Sequence, residues 1–219
     1  MIKKIINYIN RFVKKSYSLE GEDLIIDKYF DYKDNGFYVD VGANDPVRFS
    51  NTYLFYNKGW RGLNIDGDID SIRKLNRKRP KDVNIHSYIG LNNQVKTFTK
   101  FDESALNTFS PKLRKEYESL GFQVTFSKKV KIVSLARTLD KHMRKNTEID
   151  FMSIDVEGLE LDVLKSNNWK KYTPKLIVVE ILDLHSLSDA MSSKITKFLS
   201  QKGYTLSMKT ITNCFYVKK

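Results

Sequence analysis

The stretch Phe37-Tyr38-Val39-Asp40-Val41-Gly42-Ala43-Asn44 decides the fold. An apolar, largely β-prone run ends around an acid and turns at once on a glycine. A strand buried on both faces reads this way, and its end opens onto a ligand pocket. The pattern returns downstream in Asp150-Phe151-Met152-Ser153-Ile154-Asp155-Val156-Glu157-Gly158, where another apolar strand ends in two carboxylates. Between them, Leu63-Asn64-Ile65-Asp66 reads as a strand that ends on Asp66. Parallel strands deliver their carboxyl ends to one rim of a sheet, so Asp40, Asp66 and Asp155 are expected side by side.

Around these strands the periodicity alternates between β and α. A helix is expected from Ser18, as N-cap, to about Phe30, and a second follows Ser50-Asn51-Thr52. Ile69 to Arg79 reads as a helix stopped by Pro80, and Val83–Ile89 as a strand. Residues 91–133 carry aromatic-rich short strands, Lys96–Phe101 and Phe122–Phe126, around a helical piece, Lys112–Leu120. They are expected to form an insertion on the acceptor side of the site. Helices over Leu135–Lys145, Leu159–Leu164 and Ala190–Lys202 alternate with strands Phe151–Ile154 and Leu176–Ile181. Tyr204–Met208 and Cys214–Val217 close the pattern as an antiparallel pair. The expected class is α/β: a mostly parallel sheet with helices on both faces.

At 219 residues one principal domain is expected, over 18–219. Residues 1–17 read as a separate basic amphipathic helix. Ile2, Ile5, Ile6, Ile9, Phe12 and Val13 recur at helical spacing, and Lys3, Lys4, Arg11, Lys14 and Lys15 precede the first acid, Glu20. Such a helix lies on a membrane surface or packs on protein, and peripheral membrane contact through residues 1–15 is one expectation. The single cysteine, Cys214, excludes an intrachain disulfide and a cysteine zinc cluster, and fits a reducing compartment. There is no run of about 18 apolar residues and no signal-peptide pattern, so a cytoplasmic protein, membrane-peripheral at most, is expected. The net charge of +12 has a second focus in Arg73, Lys74, Arg77, Lys78, Arg79 and Lys81, which keeps an anionic partner such as RNA under consideration.

The turn after Val41 narrows the ligand. A dinucleotide site asks for Gly-x-Gly-x-x-Gly, whose later glycines admit a pyrophosphate. Here Asn44 and Val47 stand at those positions, and no phosphate-loop lysine follows. A cofactor carrying an adenosine and a sulfonium is better served, because carboxylates face its ammonium and ribose. Asp66 lies 26 residues beyond Asp40 and is placed to accept both ribose hydroxyls.

With these residues in view, the chain resembles the FkbM family of S-adenosylmethionine-dependent methyltransferases. The resemblance rests on Val39-Asp40-Val41-Gly42-Ala43-Asn44-Asp45-Pro46, Ser50-Asn51-Thr52 and Gly59-Trp60-Arg61-Gly62. It continues in Ile149-Asp150-Phe151, Ile154-Asp155-Val156-Glu157-Gly158-Leu159-Glu160 and Val178-Val179-Glu180. Glu20-Gly21-Glu22-Asp23 matches a short motif ahead of the family's first strand. The resemblance spans roughly residues 18 to 217. It implies a Rossmann-like class I methyltransferase fold binding S-adenosylmethionine. It also implies that Glu22, Asp40, Gly42, Asn44, Ser50, Asp66, Ile89 and Asp155 line the cofactor, with Ile89 beside the adenine. One departure is Ile65-Asp66-Gly67, where the family usually carries Ile-Glu-Pro.

Transfer of a methyl group from a sulfonium to a hydroxyl needs alignment, exclusion of water and a proton acceptor. Asp155, Glu157, Glu180 and His185 are the candidates. Asp155, Glu157 and Glu180 also suit a hard divalent cation, although the chemistry does not require one. The expected activity is O-methylation of a glycan or sugar-containing metabolite. The alternatives are an RNA-directed methyltransferase or basic nucleic-acid-binding module, with nucleic acid the weaker partner, and a non-catalytic membrane-docking scaffold.

Overall fold

The computed structural model describes residues 14–182, 184 and 186–219. His185 and most of the expected N-terminal helix lie outside them, and residues 14–17 are irregular chain. Among the described residues, a seven-stranded sheet runs β3-β2-β1-β6-β7-β9-β8. Its strands are β1 (Phe37–Val41), β2 (Arg61–Asp66), β3 (Val83–His86), β6 (Phe151–Ile154), β7 (Leu176–Glu180), β8 (Tyr204–Lys209) and β9 (Asn213–Lys218). The pairs β3–β2, β2–β1, β1–β6 and β6–β7 are parallel; β7–β9 and β9–β8 are antiparallel. This is the expected doubly wound sheet with its antiparallel end. The strand order reverses at β1, with β2 on one side and β6 on the other, which is where such folds bind ligands.

Both faces are buried, and the alternation of side chains shows how. Val39, Met152, Val179 and Tyr216 point into one apolar core with Leu135, Leu139 and Leu199. Their neighbours Tyr38, Phe151, Val178 and Phe215 point into the other with Ile26, Phe55 and Trp60. The first core is covered by helices α5 (Leu135–His142), α6 (Glu160–Lys165) and α8 (Lys194–Ser200), the second by α1 (Glu22–Tyr29) and α2 (Tyr53–Lys58). Every strand of the switch point is therefore apolar on both faces, and polar side chains there need specific partners.

Several boundaries differ from expectation. Ser18 is not the N-cap residue of α1, which begins after Gly21; from outside the helix its hydroxyl accepts the Asp23 N–H at 3.2 Å and donates to the Asp23 carboxylate at 2.9 Å. The expected strand Val83–Ile89 stops at His86, and Ile89 bridges Val133 on its own. The expected helix Ala190–Lys202 is two helices, α7 (Leu187–Ser192) and α8. Ser193 breaks them with an extended backbone, its hydroxyl accepting from the Thr196 N–H as a new N-cap. The insertion is a two-stranded sheet, β4 (Val95–Phe101) with β5 (Val124–Lys131), around α4 (Pro111–Ser119). β5 begins two residues later than expected and runs five further.

Candidate active site

A cavity of about 290 Å³ opens at the carboxyl ends of β1, β2, β6 and β7. That is close to the lower end, roughly 300 Å³, of small-molecule sites. It is lined by Glu22, Asp40, Gly42, Asn44, Ser50, Asp66, Ile89 and Asp155, every residue assigned to the cofactor from the sequence, and also by Glu157 and Glu180.

The turn after β1 is built by close approach. Gly42 has φ +87°, and a Cβ there would stand 1.5 Å from the carbonyl oxygen of Asp155. Its N–H and that of Ala43 both donate to the Ile65 carbonyl, at 2.8 and 3.2 Å. Asn44 is also left-handed, at φ +43°. Its N–H donates to one Asp66 carboxylate oxygen at 2.8 Å, while the Asp68 N–H donates to the other at 2.6 Å. Asp66 is thereby fixed in orientation, and each oxygen keeps a lone pair for a hydroxyl. Burial raises its pKa to about 6, against the opposing effect of those two N–H groups.

Asp40 sits deeper. One of its oxygens accepts the Thr52 hydroxyl at 2.6 Å. The same hydroxyl accepts from Arg79, a guanidinium wholly removed from solvent. Arg79 also donates to Asp82 at 3.0 Å, to Tyr38 Oη at 2.7 Å and to the Asn64 side-chain carbonyl at 2.8 Å. Burial lifts the pKa of Asp40, and the charge of Arg79 opposes that rise. Arg79 is thus no part of the basic surface read from the sequence; Arg73, Lys74, Arg77, Lys78 and Lys81 are the exposed members of that segment.

Opposite stands the carboxylate cluster. Oxygens of Asp155, Glu157 and Glu180 lie within 4.8 Å of one another. Asp155 Oδ1 is buried with no hydrogen-bond partner. Burial, followed by the charge of Glu180, holds Asp155 well above the usual carboxylate range. Burial and the Asp155 charge lift Glu157 to about 9, although the hydrogen bond from Tyr117 opposes this. Glu180 rises to about 7 through burial and the Glu157 charge. Glu157 has φ +51°, a strained conformation for a non-glycine residue. The insertion holds it there: Tyr117 of α4 donates to its carboxylate at 3.1 Å, and the Thr108 hydroxyl donates to its carbonyl at 2.6 Å.

The third wall joins distant parts of the chain. Buried Glu22 accepts from the Asn213 side-chain amide at 2.8 Å and from the Glu20 N–H at 2.9 Å. Asn213 is the register partner of Glu180. Sequence reading missed Arg79, Tyr117 and Asn213. For Arg79 a signal was present: Asn64 and Asp40 interrupt apolar strands, and buried polar groups need a partner. For Tyr117 and Asn213, nothing local announces a role.

A family profile of the methyltransferase FkbM domain matches residues 40–206. No curated protein matches the chain. Among solved structures, it is similar to the TehB-like SAM-dependent methyltransferase from Corynebacterium glutamicum, at 10% identity and TM-score 0.47, over 100% of this chain and 96% of that one. It is also similar to a candidate RNA methyltransferase from Pyrococcus horikoshii, at 10% identity and TM-score 0.47, over 91% and 83%. The sheet order, the glycine turn and acid at the switch point, and the extent of the profile match agree: the chain belongs to the FkbM methyltransferase family, and is an S-adenosylmethionine-dependent methyltransferase.

Proposed function

We propose that this enzyme methylates a hydroxyl of a glycan or sugar-containing metabolite, with S-adenosylmethionine bound across the switch point. The observation that carries the reading is the carboxylate cluster at the cavity, whose three members burial and mutual repulsion push above the usual carboxylate range, Glu180 to about 7. An amine that is neutral at working pH already offers a lone pair, whereas a sugar hydroxyl must lose its proton as it attacks. A base with a pKa near the working pH suits that task.

In this reading Asp66 receives the ribose hydroxyls, the turn Gly42–Asn44 supports the methionine side, and Ile89 packs by the adenine. Glu22, Ser50, Asp40 and the Asp155 backbone shape the surface beneath them. The lone pairs left on the Asp66 oxygens and the partnerless Asp155 oxygen fit a ligand carrying hydroxyls and an ammonium. The acceptor hydroxyl enters between this surface and the insertion, and its proton passes to the cluster of Asp155, Glu157 and Glu180. Because these groups interact, the apparent pKa belongs to the cluster rather than to one residue. Those same three side chains would hold a divalent cation, which when bound supplies positive charge to stabilise the developing alkoxide.

Incubation with radiolabelled S-adenosylmethionine and a panel of glycans tests the activity; transfer to RNA but to no saccharide would overturn it. Asp66→Ala is expected to weaken S-adenosylmethionine binding about 10- to 100-fold by calorimetry, the range for losing hydrogen bonds to a charged group. Unchanged affinity would remove Asp66 from the ribose.

The pH dependence has a definite sign. The cluster acts as a base only when deprotonated, so the rate rises from about pH 6 and levels only above about pH 9. Stability runs the other way. Carboxyls ionise near 4.3 in an unfolded chain, whereas Glu180 and Glu157 ionise near 7 and 9 here. The folded state therefore binds more protons than the unfolded one, and stability is lost as pH climbs through these values. Thermal midpoints are expected to fall between pH 5 and 9, less steeply in Glu157→Gln; equal slopes would contradict the assignment.

A further inference from the structure

The lining of the cavity is one-sided in charge. Among the described residues it holds six acids, Glu22, Asp40, Asp66, Asp155, Glu157 and Glu180, and no lysine, arginine or histidine. A phosphate or carboxylate carried into it would leave water without meeting a counter-charge, which is costly. Hydroxyl groups face the opposite case, because each donates to a carboxylate oxygen.

Phe49 adds an apolar face to this polar wall. Its side chain lines the cavity and is 46% exposed. Its backbone is left-handed, at φ +57°, a conformation that bulky residues seldom adopt. Among the described residues, the non-glycine residues of positive φ that line the cavity are Asn44, Phe49 and Glu157. The turn after β1 accounts for the first and the carboxylate cluster for the last. Such strain persists where neighbouring contacts over-determine it, and it gathers at functional sites.

Contacts on both sides of Phe49 hold it. The Val47 and Arg48 N–H groups each donate to Asp45 Oδ1 at 2.9 Å. The Ser50 N–H donates to the Tyr17 carbonyl at 3.0 Å, and the Ser50 hydroxyl accepts the Tyr53 N–H at 3.1 Å. The Arg48 guanidinium lies 4.6 Å from the centre of the Phe49 ring and pairs with Glu103 of the insertion. The ring therefore belongs to the passage between the cofactor turn and the insertion. A flat apolar face beside carboxylates suits a sugar ring, whose C–H groups lie on the aromatic while its hydroxyls turn to the acids.

We propose that the acceptor is an uncharged saccharide and that Phe49 is the platform on which its ring lies. The inference rests on the sugar reading above and narrows it.

Transfer from labelled S-adenosylmethionine to neutral oligosaccharides, and to their uronic acid and phosphorylated counterparts at one ionic strength, tests the charge selection. The neutral members are expected to have kcat/KM about tenfold or more above the charged ones. Phe49→Leu tests the platform, since it keeps an apolar side chain and removes the flat face. On the best neutral saccharide its KM is expected to rise about tenfold, as in Phe49→Ala, with kcat changed by less than about threefold. Phe49→Tyr should keep the wild-type KM within about threefold. Affinity for S-adenosylhomocysteine by calorimetry is expected to be unchanged in all three variants, and thermal midpoints verify that they are folded.

Equal or better use of the charged counterparts overturns the uncharged class. A wild-type KM in Phe49→Leu overturns the platform. So does a variant that loses S-adenosylhomocysteine affinity but keeps its saccharide KM, because Phe49 would then wall the cofactor. If the wild-type chain methylates no saccharide of either kind, the sugar reading itself fails and this inference falls with it.

Discussion

Gly42→Ala is expected to abolish S-adenosylmethionine binding and to lower the thermal midpoint by roughly 10 °C. Two costs combine. An L-residue at φ +87° carries about 1–2 kcal/mol of backbone strain. The larger one is contact. The new Cβ would stand 1.5 Å from the Asp155 carbonyl oxygen and 2.6 Å from its carbon, and both are backbone. Relief requires β1 and β6 to part at the end where they form the cavity, at a further cost of about 1–3 kcal/mol. For a chain of this length each kcal/mol moves the midpoint by about 2–4 °C. Separation also disturbs the Asn44 N–H to Asp66 bond and the Asp155 side chain. Gly121→Ala is the control, because Gly121 has φ +95° and nothing within 4 Å of the built Cβ. It should bear only the strain, and keep full cofactor affinity. If the two variants melt and bind alike, the close approach at Gly42 has no energetic weight.

Arg79→Met is expected to cost about 3–5 kcal/mol, because it removes one partner of a buried pair and strands the other. Asp82, paired with Arg79 at 3.0 Å with neither side chain exposed, would be left as a buried carboxylate. The Asn64 side-chain carbonyl would lose its donor, and Tyr38 and Thr52 would each lose one neighbour. Asp40 would lose the charge that opposes its desolvation, so this wall of the cavity weakens as the fold does. Arg79→Lys keeps a charge but not the planar fork that reaches five side chains, and should recover only part of the stability. Denaturant unfolding decides the matter. A solvated arginine in a basic cluster would tolerate methionine with a change within about 0.5 kcal/mol.

Arg79 also shows where reading from sequence stops. The strands were legible because burial on both faces makes them uniformly apolar, and parallel pairing then forces Asp40, Asp66 and Asp155 to one rim. The family motifs lie on those strand ends, so this lining of the cavity was legible with them. Arg79 was misread because charge density along the chain is blind to direction. Pro80 takes its predecessor out of helical geometry, to φ −127° and ψ 57°, and the side chain leaves the exposed face of its helix. Tyr117 reaches Glu157 across 40 residues and Asn213 reaches Glu22 across 191, contacts that only the folded topology supplies. The break at Ser193 was hidden because Ala190 and Leu199 both belong to the apolar core and sustain a helical pattern through it.

The position of β9 bears on how the protein is made. It lies between β7 and β8, yet follows both in the chain. A ribosome releases the polypeptide from its N-terminus, so β7 emerges with an unpaired edge that the next-made strand, β8, does not fill. Glu22 is released 191 residues ahead of Asn213 and waits for it before that wall of the cavity closes. A nascent chain arrested after β8 would carry Asp40 and Asp66 on parallel strands but expose the edge of β7, a template for pairing with other chains. Biogenesis should therefore be most vulnerable to aggregation in the interval before β9 inserts.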